Sequence, residues 1–155
     1  MKTLVLALGT PLRGDDGVGS AVLSFLQETA VFPAHITLLD GGTPGLETAL
    51  MMQGYDKVIV LDAANLGEPP GTWRRFSLAE ASLSQKAQMD GTLHDAGFAE
   101  AVALGAALDI LPPEIIVYGV QPETIEWEMG LSTAVRTAIP EICQQLQAEL
   151  AEIPA

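Results

Sequence analysis

The sequence is poor in several things, and each shortage narrows the reading. Its 155 residues include one cysteine, Cys143, so no intrachain disulfide can staple the fold. That usage fits a reducing compartment. Lys and Arg number 7 against 20 Asp and Glu, for a formal net charge of −13. A field of that sign repels phosphate backbones and argues against nucleic-acid binding. It suits cations, or a basic segment of a partner. No apolar run approaches the length of a membrane span. The N-terminal run from Thr3 to Leu8 is too short for the core of a signal peptide and leads straight into a Gly-Asp loop. The expectation is a soluble, cytoplasmic chain with no membrane contact.

What is present is the composition of a folded protein: 48% hydrophobic residues and 17% charged. The length suits one domain, residues 1–155, with a proper core. Apolar runs at 3–9, 36–40, 57–62 and 115–120 read as strands, the first buried on both faces and the third the clearest. A short strand is expected at 72–76. Val18, Ala21, Val22, Phe25 and Leu26 fall on one face of a first helix. Further helices are expected at 45–53 and at 95–108. A last helix opens at Ser132 as N-cap and carries Val135, Ile139, Ile142, Leu146 and Leu150, with Pro140 expected to kink or briefly interrupt it. Residues 77–92 are small and polar without period, as in a mobile connection, and are candidates for a lid. The alternation of strands and helices predicts an α/β, three-layer domain: a twisted, mainly parallel sheet of about five strands with helices on both faces.

The stretch LGTPLRGDDGVG, residues 8–19, joins the first strand to the first helix. Gly9 and Gly14 have the spacing of a phosphate-binding loop, but Asp15 and Asp16 stand where such a loop needs Lys and a hydroxyl. The loop's charge is therefore reversed. Loops that follow parallel strands gather at one sheet edge. That edge collects Asp16 after strand one, Asp40 at the end of strand two and Asp62 at the end of strand three. Either Asp15 or Asp16 fits the N-cap of the first helix, and only one can take it. Asp40, before Gly41-Gly42, reads most readily as a turn residue. Asp62 closes an apolar strand, where a carboxylate needs a partner. His94, in DGTLHDAGF, fits a helix N-terminal turn. It equally fits a borderline-metal site with two carboxylates. His35 reads as a surface residue, Arg74 and Arg75 as a solvated edge, and Cys143, Met51, Met52 and Trp73 as packing.

Taken together, LVLALGTPLRGDDGVG, LLDGGTPG, VLDA, LHDAGF, YGVQPE and GLSTAV occur in this order along nearly the whole chain. In that it resembles the hydrogenase maturation endopeptidases, which trim the C-terminal peptide of nickel–iron hydrogenase large-subunit precursors after nickel insertion. The resemblance implies a twisted, largely parallel sheet between helices. It implies Asp16, Asp62 and His94 as metal-binding and catalytic residues, with nickel supplied by the precursor and no organic cofactor. It also implies a substrate cleft near Asp40, Gly41, Gly42 and Thr43, and the large-subunit precursor as partner. Within the acidic pair, Asp16 is the one expected to reach the metal and Asp15 the one expected to cap and support the loop. Thr10 stands where the family usually has Asn, and Phe98 where it usually has Leu. Two other readings share the same sheet edge: a flavodoxin-type small-molecule module, and a non-catalytic chaperone docking on the large subunit.

Overall fold

A computed structural model describes residues 1–79 and 96–155. Five strands form one sheet: β1 (Thr3–Ala7), β2 (Ile36–Asp40), β3 (Lys57–Ala63), β4 (Trp73–Ser77) and β5 (Glu114–Val120). Their order is β2-β1-β3-β5-β4. The first four of that order pair in parallel, and β4 joins β5 antiparallel at the edge. Among the described residues, helices α1 (Val18–Thr29), α2 (Glu47–Met52), α3 (Ala96–Ala107) and α4 (Thr133–Ala151) cover the sheet.

Side-chain alternation along each strand divides the core. Val5, Ala7, Ile59, Leu61, Ile116 and Tyr118 face α1 and α4, meeting Val22, Leu26, Ile142 and Leu146. Leu4, Leu6, Val58, Val60 and Val117 face the other way, against Met52 of α2 and Phe98 of α3. β1 and β3 are buried at every position, which is why Leu4–Ala7 and Val58–Leu61 are continuous apolar runs. The edge strand β2 is buried only at its start.

Several local expectations need correction. The buried stripe of α1 is Val18, Gly19, Val22, Leu23 and Leu26. Phe25 is on the exposed side. The stripe is turned because Gly19 lies directly on the backbone oxygens of Leu61 and Leu8, leaving no room for a β-carbon. Pro140 does not interrupt α4. It sits on the exposed face of the helix, where water can serve the carbonyl that proline leaves without a donor. His35 is half-buried rather than a surface residue, its Nε2 3.2 Å from the Ile153 carbonyl oxygen.

Arg75 is exposed at the sheet edge, as expected, but it is also paired. Its Nε and one terminal nitrogen each donate to a Glu149 carboxylate oxygen at 2.8 Å. Lys57 Nζ lies 2.9 Å from the same carboxylate, and the Tyr118 hydroxyl donates to it at 2.5 Å. Burial alone would raise the Glu149 pKa. The hydrogen bonds from Arg75, Tyr118 and Lys57 outweigh it and pull the group down to about 2. Burial, then the bond to Glu149, pushes Tyr118 above its ordinary value. Tyr118 also stacks on Trp73, ring centroids 5.8 Å apart. This network fastens β4, β5 and β3 to the last helix. Cys143 and Met52 are in the core, as expected.

Candidate functional site

The carboxyl ends of β1, β2 and β3 lie side by side, and the loops leaving them build the site. From β1 the chain turns through Gly9, at φ +99°, into a 3-10 turn over Pro11–Gly17. Thr10 caps that turn through its own side chain, accepting from the Leu12 amide. Both acids of the loop are almost fully buried, Asp15 at 0% and Asp16 at 4% exposure.

Neither acid caps α1, whose N-cap is Gly17 and has no side-chain cap bond. Asp15 instead reaches across the chain. Its Oδ1 accepts from the Ser132 amide at 2.7 Å, and its Oδ2 from the Ser132 hydroxyl at 2.8 Å and the Glu123 amide at 2.8 Å. The Asp15 amide donates to the Thr124 carbonyl and the Gly14 amide to the Glu128 carbonyl. A carboxylate accepting from the amides of Glu123, Thr124 and Ser132 and the Ser132 hydroxyl meets more donors than a helix cap would offer it. Asp15 thus supports loop structure, as expected, but by binding residues 123–132.

Asp16 turns back over the start of its own loop. Its Oδ2 accepts from the Thr10 amide at 2.9 Å. Its backbone oxygen and Oδ1 fill the space where a β-carbon on Gly9 would stand. The glycine is therefore required twice, for its positive φ and for the close approach of Asp16.

Asp62 is 1% exposed near the end of β3 and lies opposite Gly119 of β5. Its Oδ1 accepts from the Ala63 amide at 2.8 Å. Strand alternation puts it on the side of Val58 and Val60, the face covered by α2 and α3. The Leu8 amide donates to the Leu61 carbonyl at 3.0 Å, so the Gly-Asp loop leaves the sheet beside Asp62.

The GGT turn adjoins the end of β1 and the start of the Gly-Asp loop. The Gly9 amide donates to the Gly42 carbonyl at 2.9 Å, and the Gly41 amide to the Ala7 carbonyl at 2.7 Å. Asp40 is the turn residue expected: its Oδ1 accepts from the Gly42 amide and its Oδ2 from the Ser20 hydroxyl of α1. Thr43 is exposed. Gly97, the second residue of α3, packs on the Pro44 carbonyl without room for a side chain, so α3 starts at this same edge. His94 lies outside the described residues, as do residues 80–92 of the connection read as mobile. Among the described residues no three His, Cys, Asp or Glu side chains gather as a metal site.

The family model for HycI, hydrogenase maturation protease, matches residues 21–149. The chain belongs to this family. Its relatives agree. Over 125 residues it is 36% identical to the hydrogenase expression/formation protein HupD of Thiocapsa roseopersicina, which covers 81% of this chain and 56% of that one. It is 29% identical over 155 residues to the hydrogenase 2 maturation protease of Escherichia coli K12, covering 98% and 92% of the two chains. The match to HupD thus spans little more than half of that relative's length, whereas the E. coli protease matches nearly end to end. The structure of the hydrogenase maturating endopeptidase HybD from E. coli superimposes with a TM-score of 0.83 at 27% identity, over 98% of this chain and 93% of that one. The three-layer α/β fold read from the sequence is the fold of this hydrogenase maturation protease family. Among the described residues no helix is long and apolar enough to cross a membrane.

Sequence reasoning passed over the segment between YGVQPE and GLSTAV. There Ile125, Trp127 and Met129 alternate with Glu126 and Glu128. The one signal was a Trp and a Met in an acidic stretch between a strand and a helix, too short to show a period.

Proposed function

We propose that this hydrogenase maturation protease is an endopeptidase that removes the C-terminal peptide of a nickel–iron hydrogenase large-subunit precursor after nickel insertion. Nickel arrives with the precursor, as part of the substrate, and is recognised by Asp16, Asp62 and His94. The observation that carries this reading is the burial of two carboxylates, Asp16 and Asp62, at one sheet edge beside the GGT turn. A buried carboxylate is costly unless it is held by hydrogen bonds or meets a cation. The amides of Thr10 and Ala63 orient one oxygen of each.

The donor chemistry fits. Carboxylate and imidazole suit a borderline divalent ion held in passing, whereas thiolates favour retention. The one cysteine, Cys143, is buried in the core away from this edge. A divalent ion supplies polarisation of a scissile carbonyl or acidification of a water when present. The chain's own part is to hold the carboxylate oxygens still, through the Thr10 and Ala63 amides. Asp40 and the GGT turn form the adjoining wall of the cleft.

The test is a processing assay on the nickel-loaded precursor with wild type, Asp16→Asn, Asp62→Asn and His94→Ala, each shown to be folded by circular dichroism. The expected result is a shortened large subunit with wild type only. Full activity in all three variants would falsify the site. Stoichiometric binding by wild type with no shortened product favours the chaperone reading instead.

A further inference from the structure

The loop at 123–130 carries two of the most exposed large apolar side chains in the described structure, Trp127 at 76% and Met129 at 71%. Single exposed apolar residues need no explanation. These two stand on a loop that the fold holds from beneath. Asp15, fully buried, receives the amides of Glu123 and Ser132 at the two ends of the segment. The Gly14 amide donates to the Glu128 carbonyl at 2.6 Å. Arg13 donates through Nε to the Ile125 carbonyl at 3.2 Å, and its guanidinium carbon lies 5.1 Å from the centre of the Trp127 ring. The neighbouring Leu12 is also exposed. All these anchors come from residues 13–15, the start of the loop that supplies Asp16. A groove of about 270 Å³ opens alongside, between Pro11, Gly14, Ser20 and Ser24 on one side and Gly130 and Leu131 on the other.

The charge around the two apolar side chains has one sign. Glu123, Glu126 and Glu128 are all exposed. Of the cations near the loop, Arg13 is engaged with the Trp127 ring and the Ile125 carbonyl, and Arg136 with the Leu131 carbonyl. A rigid aromatic and a methionine within an acidic rim is the surface for a partner segment that offers an apolar side chain flanked by Lys or Arg.

We propose that residues 123–130 are a docking element, with Trp127 and Met129 as apolar anchors and Glu123, Glu126 and Glu128 selecting a cationic segment of the hydrogenase large-subunit precursor. This rests on the proposed processing function for the identity of the partner. Because the element is anchored on the loop that carries Asp16, a segment seated on Trp127 is held beside the carboxylate edge.

The experiment uses the nickel-loaded large-subunit precursor encoded in the same genome. It measures precursor affinity by titration calorimetry, and KM and kcat for release of the C-terminal peptide. The variants are Trp127→Ala/Met129→Ala, Glu126→Lys/Glu128→Lys and the remote control Val31→Ala, at an apolar residue that is almost wholly exposed elsewhere. Loss of a central aromatic anchor costs about tenfold or more in affinity. The apolar double variant is expected to raise Kd and KM at least that much with kcat nearly unchanged. The charge reversal should weaken binding and abolish its dependence on salt, while Val31→Ala leaves all values as in wild type. Unchanged Kd and KM in the apolar variant overturn the docking element while leaving the processing function standing. Salt-independent wild-type binding, or a charge reversal without effect, overturns the cationic partner. If wild type binds the precursor but does not cut it, the processing function falls, and the docking element is judged on the variants' Kd alone. If wild type does not bind the precursor, the docking element falls.

Discussion

Asp15 holds both the amide and the hydroxyl of Ser132, at 2.7 Å and 2.8 Å, across 117 residues of sequence. Ser132 is itself the N-cap of α4, accepting from the Val135 amide. One buried carboxylate therefore ties the glycine loop after β1 to the start of the last helix and to the loop before it. The substitution Asp15→Ala removes the acceptor for three amides, those of Glu123, Thr124 and Ser132, and for the Ser132 hydroxyl. Hydrogen bonds to charged groups contribute about 1.5–3 kcal/mol each in net terms, so a loss of at least about 3 kcal/mol is expected in urea unfolding. A midpoint equal to wild type would contradict the clamp.

The Glu149 network gives stability a defined dependence on pH. The folded-state pKa of Glu149 is about 2, below the ordinary carboxylate value, so the group stabilises the fold fully at pH above about 4.5. That contribution is lost as pH falls from about 4.5 through about 2. The variant Glu149→Gln should be less stable at neutral pH and show a shallower loss across that acid window. Identical slopes for the two proteins would remove Glu149 from the account.

Two glycines should respond very differently to alanine. At Gly19 a β-carbon would collide with the backbone oxygens of Leu61 and Leu8, which cannot yield without moving β3 or β1. Overpacking of that kind costs about 1–3 kcal/mol and occasionally more, and Gly19→Ala is expected at the upper end. At Gly42, φ is +66° and nothing lies within 4 Å, so only the left-handed conformation is penalised, by about 1 kcal/mol. Thermal unfolding of the two variants separates the cases, and equal losses would contradict the packing of α1 on the sheet.

Much of this was legible in the sequence because it is written locally. β1 and β3 carry continuous apolar runs because both faces are covered, and the period of α4 matches its buried face. Asp16 and Asp62 could be placed at one edge because parallel strands bring their following loops together. What escaped is written between distant residues. The cap expected of Asp15 follows from a local rule, and bonds to residues 123, 124 and 132 override it. Arg75 looks like a solvated charge until Glu149, 74 residues away, meets it. That β4 runs antiparallel beside β5 is a pairing between distant segments, which no short pattern encodes. The Trp127 loop has no period to find. Its meaning lies in what anchors it.

The central claim is that cleavage is licensed by the metal the precursor carries and read by Asp16, Asp62 and His94. The most direct measurement is the mass of the large subunit after incubation of nickel-loaded and nickel-free precursor with wild type and with Asp62→Asn. The account predicts a shortened product only when nickel-loaded precursor meets the wild-type protein. A shortened product from the nickel-free precursor, or undiminished cleavage by Asp62→Asn, would contradict it.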